Sequence, residues 1–344
     1  MEPVPLCRGE VILTLERPQQ TMSIDWNSCD AAAVVVPDAM SVETAKMHAG
    51  VRPVGILIDA DGWNPEEDFG AKWPSERLVG RFKNITKRAM HAQADFAYIR
   101  MKQNLHVLRA AVLAVTDSCG MGILAEIPVD EDGRTADGSS AMAVVGILQR
   151  IGVAGVILTG EPEDVDDVVE ELAPHANIAL GVSVEPYELR DMEELPSVEF
   201  YHTNEPENVS RLAAYMPPMY GADEPEADED YILAPVGMHA HFVDATIDIS
   251  DPIDMEDHFG ETLLEMEDHW SGALKLEINT PYDVCLLADG QYMINRPVCL
   301  AAENPELLEE ALRVFDGIAL YDGTWELDEE TLDTFRRHYG MVAL

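Results

Sequence analysis

Residues 122–160 read GILAEIPVDEDGRTADGSSAMAVVGILQRIGVAGVILTG, and the interpretation of the whole chain starts from them. Two apolar runs, residues 122–129 and 153–159, have the length and composition of buried strands. Between them, apolar residues recur at helical spacing from Met142 to Ile151, and Ser139 can cap that helix. The order strand, helix, strand predicts a right-handed crossover between two parallel strands.

The same alternation extends over most of the first 216 residues. Eight apolar, strand-like runs alternate there with helices or helix-length segments. This pattern predicts a closed, parallel (β/α)8 TIM-type barrel. The link between the first two strands, residues 17–30, is short for a helix with two loops. This segment therefore fits the strand–helix alternation least well.

A proline-rich, acidic stretch at residues 217–230 predicts a linker. The expected organisation is therefore a barrel in residues 1–216, the linker, and a partial second α/β domain in residues 231–344. About four strands are expected in that second domain, near residues 232–236, 273–278, 297–301 and 318–321, too few to close a barrel.

Composition restricts the partners and the compartment. The chain has 344 residues and a formal charge of −43, from 65 acidic and 22 basic residues. That balance argues against nucleic acid or an anionic membrane as a partner. The five cysteines are scattered without CxxC spacing, which favours a reducing compartment. With no long apolar run and no signal-peptide pattern at the N-terminus, the expected location is the cytoplasm.

The organising stretch resembles the homocysteine S-methyltransferase family, which includes cobalamin-dependent methionine synthase. The residues that carry the resemblance are IPVDEDGRTADGS at 127–139, with the helix and the GVAGVILTG strand after them. Residues 29–50 and 93–114 resemble further strand–helix units of the homocysteine-binding barrel. In the second domain, residues 296–315 and 319–344 resemble two units of the pterin-binding barrel that follows in that family. The remainder of that barrel and a cobalamin module are not recognisable.

The resemblance implies a protein of one-carbon and methionine metabolism, in a family that uses zinc, cobalamin and methyltetrahydrofolate. In the family, three cysteines hold a zinc ion that keeps the homocysteine sulfur deprotonated. Their positions correspond to about Gly160, Tyr201 and His202, so the zinc thiolates are absent. The family's substrate-binding glutamate corresponds to Arg100. The resemblance therefore does not support a zinc-dependent methyltransferase of the usual kind, and no cofactor or metal is assigned.

Other residues remain candidates for a site. Catalytic groups of such barrels lie at the carboxyl ends of the strands, which makes Glu16, Arg100, Tyr201 and His202 the candidates at the barrel mouth.

Two pairs of residues in the second domain are weaker candidates. His239 and His241 lie two residues apart on an extended stretch, which could bring both rings to one face as a metal pair. Asn279 and Asp322 are the candidates for binding a cofactor.

Two classes of function stay open, and with them whether the chain is an enzyme. The first is a homocysteine S-methyltransferase-like protein whose zinc chemistry is lost. The second is a non-catalytic scaffold or partner subunit of a corrinoid or methyltransferase system, or a small-molecule binder with a rewritten barrel mouth. A homo-oligomer is also left open. A deep pocket lined by Arg100, His202 and Glu16 would favour an enzyme or a ligand binder. A mouth plugged by the loop that carries Trp63 and Trp73, or by the second domain, would favour a scaffold.

Overall fold

The computed structural model describes residues 9–61, 74–184, 197–214, 231–255, 259–266 and 271–344. Contacts divide the chain into two compact units. The first comprises Met1–Ala141 and Val153–Glu226, and the second comprises Met142–Gly152 and Ala227–Leu344. The linker predicted at residues 217–230 lies outside the described residues.

The first unit contains a closed barrel of eight parallel strands that are hydrogen-bonded in sequence order. The predicted (β/α)8 fold is confirmed. The strands are β1 (Glu10–Thr14), β2 (Ala33–Val36), β3 (Val54–Ala60), β4 (Phe96–Met101), β5 (Gly122–Pro128), β6 (Gly155–Thr159), β7 (Ala179–Ser183) and β8 (Phe200–Thr203). Strand β1 pairs with both β2 and β8, which closes the ring.

Helices follow the strands, as the alternation predicts. They are α1 (Gln20–Ser23), α2 (Ala39–His48), α3 (Pro74–His91), α4 (Leu105–Ser118), α5 (Ala141–Arg150), α6 (Pro162–Leu172) and α7 (Val209–Ala213). Residues 17–30 are too few for a full helix with two loops. The link between β1 and β2 therefore holds only a single helical turn, α1. Across the described ranges, no helix combines the length and the apolar character that crossing a membrane requires.

The amino-terminal floor of the barrel is filled by two phenylalanines packed over glycines. A Cβ atom added at Gly55 would lie 2.4 Å from the ring of Phe96. A Cβ atom added at Gly181 would lie 2.4 Å from the ring of Phe200. Each ring therefore takes the space that a side chain on the neighbouring strand would need, and the interior closes without a void.

The second unit contains a five-stranded parallel sheet and a two-stranded hairpin. The sheet consists of β11 (Ile249–Asp254), β12 (Ala273–Glu277), β13 (Val298–Ala301), β14 (Ala319–Tyr321) and β15 (Val342–Ala343), and the hairpin of β9 (Ile232–Leu233) and β10 (Phe242–Val243). Its helices are α8 (Phe259–Met266), α9 (Pro281–Gly290), α10 (Pro305–Val314) and α11 (Glu329–Tyr339).

The sheet differs from the prediction at both edges. The run predicted as a strand at residues 232–236 forms the hairpin instead, and the edge position belongs to β11. That strand, ISDPID, was missed because proline and aspartate are depleted in strands, and an edge is where a proline is tolerated.

Candidate functional site

A polar layer closes the carboxyl end of the barrel, directly above the apolar core. Residues that are in register on neighbouring strands share a face of the sheet. The polar residues of this layer are in register with inward-facing core residues or with each other, so they face the interior of the barrel. The layer consists of Thr14, Asp59, Arg100, Glu126, Ser183 and His202. Such a layer at the ends of the strands is where barrel enzymes place their chemistry.

Arg100 is the centre of this layer and is only 7% exposed. Its Nη1 lies 3.1 Å from Glu16 Oε1 and 3.8 Å from Asp59 Oδ1, and its Nε lies 3.1 Å from Glu126 Oε2. Burial is the largest single influence and would lower the pKa of Arg100, but the charge and hydrogen bond of Glu126 together with Tyr98 and Glu16 outweigh it, and the pKa lies above its ordinary value. The guanidinium is therefore charged and surrounded by three carboxylates.

Two atoms in this ion-pair cluster lack a hydrogen bond. In the described part of the chain, Arg100 Nη2 and Asp59 Oδ1 are both buried without a hydrogen-bond partner. The two residues are directly opposite each other on β3 and β4. Burial raises the pKa of Asp59, although Arg100 opposes that effect. A buried donor and a buried acceptor without hydrogen bonds are costly unless water or a ligand completes them.

Tyr98 joins the polar layer to the core beneath it. Its hydroxyl donates a 2.6 Å hydrogen bond to Glu126 Oε2, and its ring stacks on His202 with centroids 5.4 Å apart. Burial and then the charge of Glu126 raise the pKa of Tyr98 well above its ordinary value. Tyr98 is therefore a neutral proton donor that fixes one oxygen of Glu126.

His202 is fully buried and held by two hydroxyl groups. Its Nδ1 lies 2.8 Å from Ser183 Oγ, and its Nε2 lies 2.9 Å from Thr14 Oγ1. Burial lowers the pKa of His202 to about 4, so the ring is neutral near pH 7. With both ring nitrogens occupied, His202 positions the layer and is not free to accept a proton from a ligand.

The structure brings together three of the four mouth residues expected from the sequence. Glu16 and Arg100 form an ion pair, and His202 lies in the same layer. Tyr201 is a correction: it is in register with Val11 and Val182, one residue away from the inward-facing positions, so it points towards the helical layer. Successive side chains of a strand point to opposite faces, so Tyr201 and His202 cannot both point into the barrel mouth.

Three further residues of the site were missed. Asp59, Tyr98 and Glu126 all contact Arg100 or its partners. Glu126 carried a usable signal, because it is the single charge in the apolar run GILAEIP of β5. Trp63 and Trp73, expected as a lid, lie outside the described residues.

The three positions that match the family's cysteines do not fit a zinc ion. Gly160 has no side chain, and a Cβ atom there would lie 2.6 Å from the carbonyl oxygen of Val129. Tyr201 points away from the mouth, and both nitrogens of His202 are occupied. Nowhere in the described ranges do three or more histidine, cysteine or carboxylate side chains form a group that could hold a metal ion.

The histidine pair of the second unit is only partly buried. His239 and His241 have ring centroids 6.3 Å apart. His239 forms a β-bridge with Val236 across a two-residue turn, and its side chain is exposed. Among the residues that the structure describes, no third ligand joins the pair, and a metal site at these two histidines stays a prediction.

The two cofactor candidates of the second unit are engaged in local hydrogen bonds. The Asn279 backbone N–H donates to the carboxylate of Asp283, which belongs to the capping box of α9. Asp322 accepts a 2.5 Å hydrogen bond from Lys275 Nζ. Both arrangements stabilise the unit, and cofactor binding at these residues stays a prediction.

Comparison with known proteins finds the barrel fold again. No family model and no curated protein sequence matches the chain. Among solved structures, apo homocysteine methyltransferase MmuM from Escherichia coli aligns with a TM-score of 0.50 and 12% identity, over 60% of this chain and 95% of that one.

Enzymes of other chemistry also align. Phosphoenolpyruvate phosphomutase from Streptomyces platensis subsp. rosaceus has a TM-score of 0.40 and 12% identity, over 56% of this chain and 75% of that one. 3-Keto-L-gulonate-6-phosphate decarboxylase from Vibrio cholerae has a TM-score of 0.42 and 11% identity, over 61% of this chain and all of that one. At these identities the shared feature is the barrel fold, so function has to be argued from the residues of the mouth.

Proposed function

We propose that this chain is a homocysteine methyltransferase-like barrel that binds a small α-amino acid at its mouth without a zinc-bound thiolate. The resemblance of residues 127–139 and the barrel shared with MmuM support the amino-acid class. The observation that carries the proposal is the pair of unpartnered buried atoms, Arg100 Nη2 and Asp59 Oδ1.

An α-amino acid satisfies both atoms at once. Its carboxylate can accept a hydrogen bond from Arg100 Nη2, and its ammonium group can donate to Asp59 Oδ1. The charges agree with this, because one guanidinium faces the carboxylates of Glu16, Asp59 and Glu126. A simple anion would add to the negative excess, and a simple cation would leave the arginine N–H unpaired.

The same residues limit what chemistry the mouth performs. A free thiol has a pKa of about 8.5, so only a few per cent of homocysteine would be thiolate at neutral pH. The mouth offers carboxylates, neutral hydroxyl groups and one guanidinium, Arg100, which is paired with carboxylates and does not bind the thiolate directly as a zinc ion does. Binding is therefore the principal function proposed, and methyl transfer to a thiol would be slow.

Isothermal titration calorimetry in the presence of EDTA tests the proposal. Homocysteine and methionine are compared with 3-aminopropanethiol, which lacks the carboxylate, and 4-mercaptobutyrate, which lacks the amine. We expect saturable binding of both amino acids, and at least roughly tenfold weaker binding of each truncated analogue, since each leaves Arg100 Nη2 or Asp59 Oδ1 without a hydrogen bond. Equal binding of the analogues, or binding that requires added zinc, would overturn the proposal.

Variants assign the binding to the mouth. Arg100→Met is expected to abolish binding, whereas Arg17→Met, at an exposed arginine beside Glu16, leaves it intact. Asp59→Asn keeps the shape of the side chain and is the second variant if Arg100→Met does not fold. It should weaken the binding of methionine but not that of 4-mercaptobutyrate. A protein that acts only as a scaffold or as a partner of a corrinoid protein would bind none of these ligands.

A further inference from the structure

Helix α3 has a charge opposite to that of the rest of the molecule. The chain has 65 acidic and 22 basic residues, yet α3 (PSERLVGRFKNITKRAMH) contains five of the basic residues and a single acidic one, Glu76. Basic residues are thus concentrated on one helix of a strongly acidic surface. Such segregation creates a local positive potential that attracts an acidic partner.

The basic residues of α3 lie on its solvent face. Lys87, Arg88 and His91 are exposed, while Phe82 and Ala89 are buried. Arg88 Nε donates to the Asn84 carbonyl oxygen, a contact that leaves its charge unneutralised. In the described ranges Lys87 and Arg88 form no ion pair, in contrast to Lys83, whose Nζ lies 2.7 Å from Asp117. We call the exposed residues Lys87, Arg88 and His91 the α3 basic face.

Helix α6 (PEDVDDVVEEL) supplies the complementary surface on the same barrel. It contains six acidic residues and no basic one. Its buried side is made of Val165, Val168, Val169 and Leu172. We call its exposed Glu163, Asp167, Glu170 and Glu171 the α6 acidic face.

We propose that copies of this chain associate through the α3 basic face of one copy and the α6 acidic face of the next. The two helices follow β3 and β6, three positions apart around the ring of eight strands, so they face different directions. A twofold-symmetric dimer would need the α3 basic face and the α6 acidic face of each copy in one interface, which their different directions do not allow. The contact is head to tail, and it builds a ring or an open chain of copies.

Apolar side chains beside the α3 basic face add to the contact. Met90 is 42% exposed at the end of α3, and Val51 is fully exposed. Both line an open groove of about 800 Å³ with Arg52 and with Lys46, whose Nζ lies 2.9 Å from Asp95 Oδ1 in the same groove. Exposed apolar residues rimmed by polar and charged residues are typical of a protein–protein contact. They supply association energy that exposed charges alone do not.

Sedimentation velocity of the full chain at low and high salt tests the inference. At about 0.05 M NaCl the mass is expected to grow with protein concentration beyond a dimer, and at about 0.5 M NaCl the monomer should dominate because the charges are screened. A monomer at every concentration and salt, or a salt-independent closed dimer, would overturn it.

Charge reversal identifies the faces. Lys87→Glu with Arg88→Glu should weaken association at least tenfold, and so should Glu170→Lys with Glu171→Lys. The control matched to the α3 variant, Arg336→Glu with Arg337→Glu on the exposed side of α11, changes the net charge by the same amount and should leave association unchanged. Mixing the α3 and α6 variants should restore assembly, since each then presents the charge that the other needs. If mixing fails to restore it, these faces are not the contact.

Discussion

The floor and the mouth of the barrel are built from the same strands, yet they are held together differently. On β3 and β4, Phe96 fills the space above Gly55, whereas four residues further along Arg100 faces Asp59, and Arg100 Nη2 and Asp59 Oδ1 make no hydrogen bond. The floor satisfies every requirement of close packing. The mouth retains buried polar atoms without hydrogen bonds, and this contrast separates the part that stabilises the fold from the part for which we propose binding.

The largest expected effect tests the floor. Replacing Phe200, which is 1% exposed, by alanine should lower the free energy of unfolding by about 4 kcal/mol, because it leaves a cavity above Gly181. Urea unfolding followed by circular dichroism measures the loss. Amino-acid affinity of the folded fraction should stay within about twofold, since the mouth is untouched. A loss below about 1 kcal/mol would mean that the floor is not the stabilising end.

A slightly smaller effect concerns pH and the mouth. The pKa of His202 is about 4 in the folded protein against an ordinary value of 6.5, so the unfolded chain takes up the proton first on acidification. The stabilisation is present above pH 6.5 and is lost as the pH falls towards 4. The shift corresponds to about 3 kcal/mol. Urea unfolding of the wild type and of His202→Gln between about pH 7 and pH 4 measures how much of the pH dependence of the free energy of unfolding comes from His202. Parallel profiles for the two proteins would contradict it.

A third experiment compares two glycines with opposite expectations. Gly181→Ala should cost about 2 kcal/mol, because the new methyl group meets the Phe200 ring. Gly80→Ala on α3 meets nothing within 4 Å and should stabilise the chain by up to about 1 kcal/mol, since alanine favours helix. Thermal or urea unfolding gives both signs. If both variants were neutral, the packing described for the floor would be wrong.

The smallest effect lies at the border between floor and mouth. Tyr98→Phe keeps the ring that stacks on His202 and removes the hydrogen bond to Glu126. The expected loss is about 1 kcal/mol of stability, the usual value for one buried hydrogen bond. Calorimetry should also show weaker amino-acid binding, because Glu126 no longer holds Arg100 in place. Unchanged affinity would assign Tyr98 to the floor alone.

Much of the fold could be predicted because the barrel depends on local patterns. The runs at residues 122–129 and 153–159 correspond to β5 (Gly122–Pro128) and β6 (Gly155–Thr159). Strand β11 was missed because its stability comes from pairing with β12 and not from its own residue types.

The site was predictable only where residue type and strand end coincide. Glu16, Arg100 and His202 were found in this way. Asp59 was missed because its importance comes from lying opposite Arg100, and the register of two strands cannot be deduced from either sequence alone. Tyr201 was misplaced for a related reason, since a shift of one residue reverses the face.

Gly160 has a consequence for how this protein can change. A cysteine there would direct its Cβ at the Val129 carbonyl oxygen, 2.6 Å away, so the backbone between β5 and β6 would have to move before a thiol could reach the mouth. A single codon change therefore does not lead towards a metal-dependent enzyme, because the first step is penalised before any metal binds. The inward-facing positions around Arg100 already carry side chains that point into the mouth, so substitutions there do not require that backbone movement.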